Sequence, residues 1–531
     1  MVGRGGMMGS NVMTLGAVDD EIHAGEKSLS ELLRLTSKNA KEEQEAVLDN
    51  ILDYAKECEY GRKYAFADIN GYRDYRDRVP LTEFSDYKDY IERMKLAEEN
   101  VLFPGKASSF VVSTGTTGIP KYIPESSKGA LAKSIVSRMR SSEWKRLIPD
   151  AEKQERKYLP VVNAAVYEVT EGGIPAGSAS GLSARSSKKV TRKAIPDLLL
   201  NIPGLSRETM DYLTLLFSLS EREVAKLACN NVAHFNLLWD LARKKAEMLI
   251  SDIRNGTIST ELKDEDREAF MEGWKSNPER ADELQKLFDE KGRFEIKDVW
   301  PHFEAVICWI CGSVGRTARE FRSEFPENTV FINWGYGASE GKFDVPVETE
   351  STEGVLALFG YFYEFLKPGD KEPVPIWEAK DGVPYELVLT SYSGFYRYNI
   401  HDLVQLETSS EGFRCITFLG KTSDSLELSG RKLYSGEFLH YIEQYEREND
   451  TFFRLVQGRE EDGGLMILAE NISDDWDEEG FRAWAQEIFS GHGIPFAGVT
   501  RLEKGYRDSL FEKVMESGKS VNSTKVAVFV K

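Results

Sequence analysis

Apolar residues recur along this chain in two rhythms, and their alternation lays out its elements. Over 28–58 the spacing is helical, with Leu29, Leu32, Leu33 and Leu35 followed by Val47, Ile51, Leu52, Tyr54 and Ala55. Residues 72–96 predict a helical or turn-rich segment broken at Pro80. Phe110-Val-Val112 predicts a short buried strand, and 126–140 a helix with Ser126 or Ser127 as its N-cap. A strand is predicted over 158–169, then a loop marked by Gly172, Gly173, Gly177 and Gly181. The longest helix is predicted over 220–254, where Val224, Leu227, Ala228, Val232, Phe235 and Leu238 share a face. A charged, exposed helical stretch is expected over 261–297, and strands at 303–313, 329–334, 385–390 and 413–419. Beyond 436, helices at 436–448 and 478–489 mix with strands at 453–457 and 465–469, a small α+β unit. Strands alternating with helices through the middle predict an α/β class with a largely parallel sheet and sites at its strand ends.

A chain of 531 residues is too long for one core, so two or more domains are expected. Its 68 basic residues face 88 acidic ones, for a net charge of −20. That balance excludes nucleic acid or an anionic membrane as a bulk partner, since both need a basic face. Any anionic ligand must then be met by a local positive site. No uninterrupted apolar run approaches the roughly 18 residues of a membrane span. Residues 1–27 begin glycine-rich, without the apolar block of a signal peptide, and are expected to be a disordered tail. Five scattered cysteines, an odd number, suit a reducing cytoplasm.

The densest chemistry lies in Ser113-Thr-Gly-Thr-Thr-Gly-Ile-Pro-Lys121, placed between the strand and the helix. Gly115 and Gly118 let backbone N–H groups approach an anion. Ser113, Thr114, Thr116 and Thr117 offer hydroxyl donors, and Lys121 a mobile positive charge. This is a phosphate-holding loop, and it is not a Walker A loop, because Lys121 follows Gly118 by three after a proline. The basic cluster 185–193 is either a second phosphate receiver or a solvated loop. Cys308-x-x-Cys311 sits in an apolar strand with no second cysteine pair, so it reads as core rather than as a zinc or redox site. His234, inside the predicted long helix, reads as a core histidine.

Three stretches in order carry a resemblance: the loop at 113–121, Tyr336-Gly-Ala-Ser-Glu340, and Tyr396-Arg-Tyr-Asn-Ile-His-Asp402. Together they resemble the signatures of adenylate-forming enzymes. The texture of Ser391-Tyr-Ser-Gly-Phe-Tyr-Arg-Tyr, Phe362-Tyr-Glu-Phe365 and Trp300-Pro-His-Phe is similar to the acyl acid amido synthetases first known from plant auxin-responsive genes. The likeness runs from about Asn39 to the C-terminus.

The resemblance implies an α/β fold with a large N-terminal adenylation domain, 28–424, and a small mobile α+β C-terminal domain, 425–531. It implies an ATP- and Mg²⁺-dependent ligase that adenylates a small-molecule carboxylic acid and passes the acyl group to an amine, such as an amino acid. Ser113, Thr114, Gly115, Thr116, Thr117, Gly118 and Lys121 would hold the phosphates, together with Gly337, Ala338 and Ser339 of the second signature. Glu340 would hold the metal, Asp402 the ribose hydroxyls, and Tyr336 would stack on or border adenine. Arg397 would face the phosphates, and Lys432 or Lys525 would neutralise the α-phosphate.

Departures from the family pattern are visible. The hinge Gly-Arg-x-Asp-Asp appears as Gly420-Lys421-Thr-Ser423-Asp424, so the pivot falls on Ser423 or Asp424. Lys525 stands without the glutamine, proline and arginine that usually surround it, and His401 replaces a glycine. A thioester-forming acyl-CoA ligase of the same superfamily, or a silent nucleotide-binding relative, are the competing expectations.

Overall fold

Four short apolar runs, Lys157–Val161, Val224–Cys229, Ala305–Cys308 and Val330–Asn333, lie side by side in that order as a parallel sheet. Their side chains are buried on both faces, which is why each reads as an almost unbroken hydrophobic stretch. This corrects the long helix expected over 220–254. Its first third is the strand Val224–Cys229, and helices follow at Val232–Lys244 and Ala246–Asn255. A short apolar run fits a buried strand as well as a helix face. The structure is a computed structural model that describes residues 13–25, 27–36, 40–114, 120–148, 156–161, 163, 165–186, 192–202, 204–473, 475–516 and 526–530.

A seven-stranded antiparallel sheet packs beside the parallel one. Its centre is Tyr361–Leu366, Pro384–Ser391, Tyr398–Thr408 and Arg414–Lys421. A third sheet carries the hairpin Ser109–Thr114 and Pro120–Glu125. The segment 120–125 is thus the second arm of the hairpin, and 115–119 lie outside the described residues. The helix Ser127–Leu147 follows at once, capped where Ser126 Oγ accepts the Gly129 N–H at 2.9 Å.

The C-terminal domain is separate. Helices Ser435–Glu448 and Glu478–Gly491 enclose an apolar cluster with the strands Phe453–Glu461, Gly464–Asn471 and Phe496–Arg501. The tail expected over 1–27 also differs, since Leu15–Ala24 is a helix. Met13, Leu15 and Val18 enter the main core there, and the Met13 N–H donates to Glu43 at 2.8 Å. Residues 1–12 lie outside the described ones. Among the described residues, no helix is long and apolar enough to cross a membrane.

Candidate active site

The carboxyl ends of the parallel strands all open on one edge, and there the chain leaves the sheet in loops suited to hold a ligand. From Val330–Asn333 it passes through Trp334 and Gly335 into Tyr336-Gly-Ala-Ser-Glu340. This loop is tied by a bridge between Gly337 and Lys342 and by the Ala338 N–H donating to Gly341 O at 2.9 Å. Gly335 has φ +90°, and a side chain there would press on the Arg140 guanidinium.

Arg140 is the floor of this loop. It projects from the helix Ser127–Leu147 and is buried. Its Nη2 donates to Tyr336 O at 2.7 Å and to Asp344 Oδ1 at 3.2 Å, and its Nε to Asp344 O at 2.8 Å. Asp344 Oδ1 accepts the Tyr336 N–H at 2.7 Å. Burial raises the Asp344 carboxyl to about 7, although Arg140 beside it pulls the other way. Higher on the same helix, Lys133 donates to Ser339 O at 3.0 Å and pairs with Glu125, which also accepts Ser393 Oγ at 2.9 Å. One helix therefore links the end of the hairpin to the loop that carries Glu340.

Glu340 is nearly buried and accepts a hydrogen bond from the Tyr398 hydroxyl at 3.2 Å. Among the described residues no three His, Cys, Asp or Glu side chains converge on one point. A divalent cation at Glu340 would thus take its remaining ligands from phosphate oxygens and water, as Mg²⁺ does. Asp402 is buried and accepts the Tyr336 hydroxyl at 2.9 Å and the Lys421 ammonium. Burial works against the charge on Lys421, but Asp402 outweighs it and raises its pKa. Two lone-pair positions on Asp402 remain for a ligand hydroxyl, since a carboxylate has about four.

Backbone irregularity aims Asp402. Between the pairs Glu386–Leu403 and Val388–Asn399 the register shifts, so residues 400–402 bulge opposite Leu387 alone. At the centre of the bulge His401 has φ +58°, a left-handed conformation that glycine adopts without cost. This is the physical reason for a glycine in the family pattern. Here the histidine is held instead by Glu386 at 3.3 Å and Glu83 at 3.4 Å, and its pKa is raised, chiefly by the Glu386 hydrogen bond.

Two expected site residues are engaged within the protein itself. Arg397 is one. With φ +48° it turns into the core, where its guanidinium pairs with the buried Glu364 at 3.1 Å and donates to Arg76 O and Val79 O. Tyr336 is the other: its ring is buried among Trp309, Phe343 and Phe418, and its hydroxyl donates to Asp402.

The other expected residues fall as follows. Ser113 and Lys121 face each other across the hairpin, with Lys121 Nζ 5.1 Å from the centre of the Phe84 ring. Thr114 ends the first arm. Gly115, Thr116, Thr117, Gly118 and Lys525 lie outside the described residues. Lys432 stands exposed on Arg431–Tyr434, the second arm of the small hairpin that follows Lys421. Sequence reasoning missed Lys421, Arg140, Lys133 and the Tyr398–Glu340 bond. Tyr398 and Glu340 lay inside signatures and Lys421 inside the hinge pattern; Arg140 and Lys133 are joined to the site by packing alone.

The chain is similar to known proteins over most of its length. A family model of the GH3 N-terminal domain matches residues 29–330, and one of the GH3 central domain matches 354–421. A jasmonoyl–L-amino acid synthetase of Oryza sativa subsp. japonica is 26% identical over 86% of this chain and 84% of its own. In structure, the acyl acid amido synthetase AtGH3.15 in complex with 2,4-DB superposes with a TM-score of 0.78, 19% identity, and coverage of 99% of this chain and 96% of that one. A 2-hydroxyisobutyryl-CoA ligase in the postadenylation state shares the fold alone, at TM-score 0.50, 11% identity and coverage of 90% and 92%. The fold is that of adenylate-forming enzymes, and with its first two regions matched in order the chain belongs to the GH3 family.

Proposed function

We propose that this chain is an ATP-dependent acyl acid amido synthetase, which joins a small-molecule carboxylic acid to an amine, most simply an amino acid. The observation that carries this reading is one connected constellation on the carboxyl edge. It runs from the hairpin through Glu125 and Lys133 to Ser339, then through Glu340 and Tyr398 to the strand that bears Asp402, which the Tyr336 hydroxyl and Lys421 reach from neighbouring segments.

A carboxylate is a poor acylating agent, because its leaving group would be oxide. Its oxygen attacks the α-phosphorus of ATP, the bond to pyrophosphate breaks, and the acid becomes an acyl-adenylate. The amine then attacks the carbonyl carbon and AMP leaves. Negative charge builds on phosphate oxygens in the first step, so catalysis is positioning and electrostatic stabilisation. In this reading the loop between Ser113 and Lys121 holds the phosphates and Asp402 accepts the ribose hydroxyls. Lys421 pairs with Asp402, and Lys525 or Lys432 of the C-terminal domain offsets charge on the α-phosphate. Glu340 would hold Mg²⁺, which would supply a hard positive charge to phosphate oxygens. The buried cysteines, none in a disulfide, suit a cytoplasmic location within this reading.

The test is a panel of carboxylic acids incubated with ATP and Mg²⁺ and followed by pyrophosphate release. Hits are then supplied with an amino-acid mixture and coenzyme A together, and products are weighed by mass spectrometry. Amide and AMP are expected; thioester as the sole product transfers the chain to the acyl-CoA ligases.

A further inference from the structure

The apolar cluster of the C-terminal domain shares no residue with the clusters of the rest of the molecule. What crosses the junction at the helix Gly312–Phe321 is charge. Arg316, almost wholly buried, donates from both Nη atoms to the equally buried Glu446 and from Nη2 to Phe453 O at 2.6 Å. Glu446 also accepts the Phe453 N–H at 2.8 Å, so its carboxylate is held on the C-terminal side. Arg319 reaches Glu443 at 2.6 Å, and both arginines lie over the Phe452 ring, 5.3 and 5.8 Å from its centre. Glu320 receives Arg454 at 2.8 Å and Arg507. Arg454 is steadied in turn by Glu470 and Asp508.

We infer that Arg316, Arg319 and Glu320 form an ionic latch. They are positioning residues that hold the C-terminal domain in one orientation and release it between the two half-reactions. The helix starts directly after the strand Ala305–Cys308, on the carboxyl edge that carries the site. A small cavity at the junction is lined by Asn231, Val314 and Thr317 from the large part and by Val456, Val526 and Ala527 from the C-terminal domain. Val526 and Ala527 directly follow Lys525 in the chain. In the latched orientation Val526 and Ala527 of the C-terminal domain thus lie against the carboxyl edge.

Charge suits this task better than apolar contact. Bidentate Arg–carboxylate geometry is directional and specifies one arrangement. When the surfaces part, both partners regain water, so opening carries no lasting penalty of the kind that exposed apolar surface would impose. Covalently the two parts are joined by one crossing, from Lys421 into the strand Ser425–Leu428.

Release between half-reactions rests on the proposed function; the latch itself is testable without substrate. Full-length protein is labelled at Lys286→Cys and Glu479→Cys, both exposed positions on opposite sides of the junction, and the separation is read by double electron–electron resonance. Unsubstituted protein should give one narrow separation. R316M should move the ratio of open to latched populations by about tenfold, the worth of one strong charge-assisted pair. R319E should open the molecule, and E443R added to it should restore the narrow distribution by exchanging the charges. That exposed pair keeps the test alive if R316M does not fold. Unchanged separations in R319E, or a charge exchange that restores nothing, would overturn the latch. Altered separations with no pyrophosphate released from any acid would instead overturn the reaction and leave the latch standing.

Discussion

Replacing Arg140 by methionine removes the floor of the Tyr336–Glu340 loop while keeping most of the buried volume. The arginine makes three donor contacts, to Tyr336 O and to both the carbonyl and the carboxylate of Asp344, and both partners are buried. Removing one member of a buried pair costs about 3–5 kcal/mol, because the other charge is left uncompensated. Here Asp344 limits the loss by taking up a proton. Its folded pKa is about 7 even beside Arg140, and it rises further without it. A carboxyl raised in the folded state binds more protons there than in the unfolded chain, so stability falls as pH rises through that folded value. The cost of R140M should therefore be greater at pH 8 than at pH 6, by on the order of 1–2 kcal/mol, since each pH unit is worth about 1.4 kcal/mol.

The assay is thermal unfolding followed by tryptophan fluorescence at the two pH values, with R140M/D344N as the partner variant. At about 2–4 °C per kcal/mol, the single variant should lose on the order of 10 °C at pH 8, and the double variant should recover most of it. Pyrophosphate release with the best acid should fall about 10²-fold, the cost of displacing a reacting group by about 1 Å. A single variant that melts with the unsubstituted protein, or a double variant no better than the single, would refute the reasoning. Either result would mean that the loop is held by something other than this pair.

Glu340→Ala should reduce Mg²⁺-dependent pyrophosphate release by on the order of 10²-fold or more, and unchanged release would remove Glu340 from the mechanism. Lys525→Ala should slow adenylation while sparing transfer from a preformed adenylate; equal losses in both steps would point to a general defect instead. His401→Gly should relieve a left-handed backbone, a gain of up to about 1 kcal/mol, against exposed ion pairs that contribute little. Because Glu386 raises the His401 pKa, the contribution of its charged form is present in acid and lost as pH rises through the folded value. H401G should accordingly melt higher than the unsubstituted protein at pH 8 and gain less at pH 6, and a fall in melting temperature at pH 8 would show the histidine to be structural.

Where the sequence could be read, the chemistry was local. Ser126 caps its helix because a hydroxyl three residues before an open N–H is a short-range fact, and the helix itself runs seven residues past the expected end at 140. Where it misled, distance along the chain was the cause. The strand Pro120–Glu125 holds two prolines and lies at the sheet edge, where a missing N–H costs nothing. Arg397 lies inside a signature, but a signature does not state which way a residue turns. Its backbone has a positive φ, and its guanidinium pairs with Glu364 on Tyr361–Leu366, two places away in the sheet from the strand it leads into. Asp402 and Lys421 are 19 residues apart and meet because the register pairs them directly. Register is set by bulges and by the packing of whole strands, and a one-residue slip would exchange the faces. The bulge over 400–402 therefore links the legible to the illegible. The odd histidine was visible in the string, but its meaning appeared only when the backbone showed a left-handed residue that lifts Asp402 toward Lys421 and the Tyr336 hydroxyl. A glycine there marks the bulge in the family, and this chain keeps the bulge with a residue that has to be held in place by two glutamates.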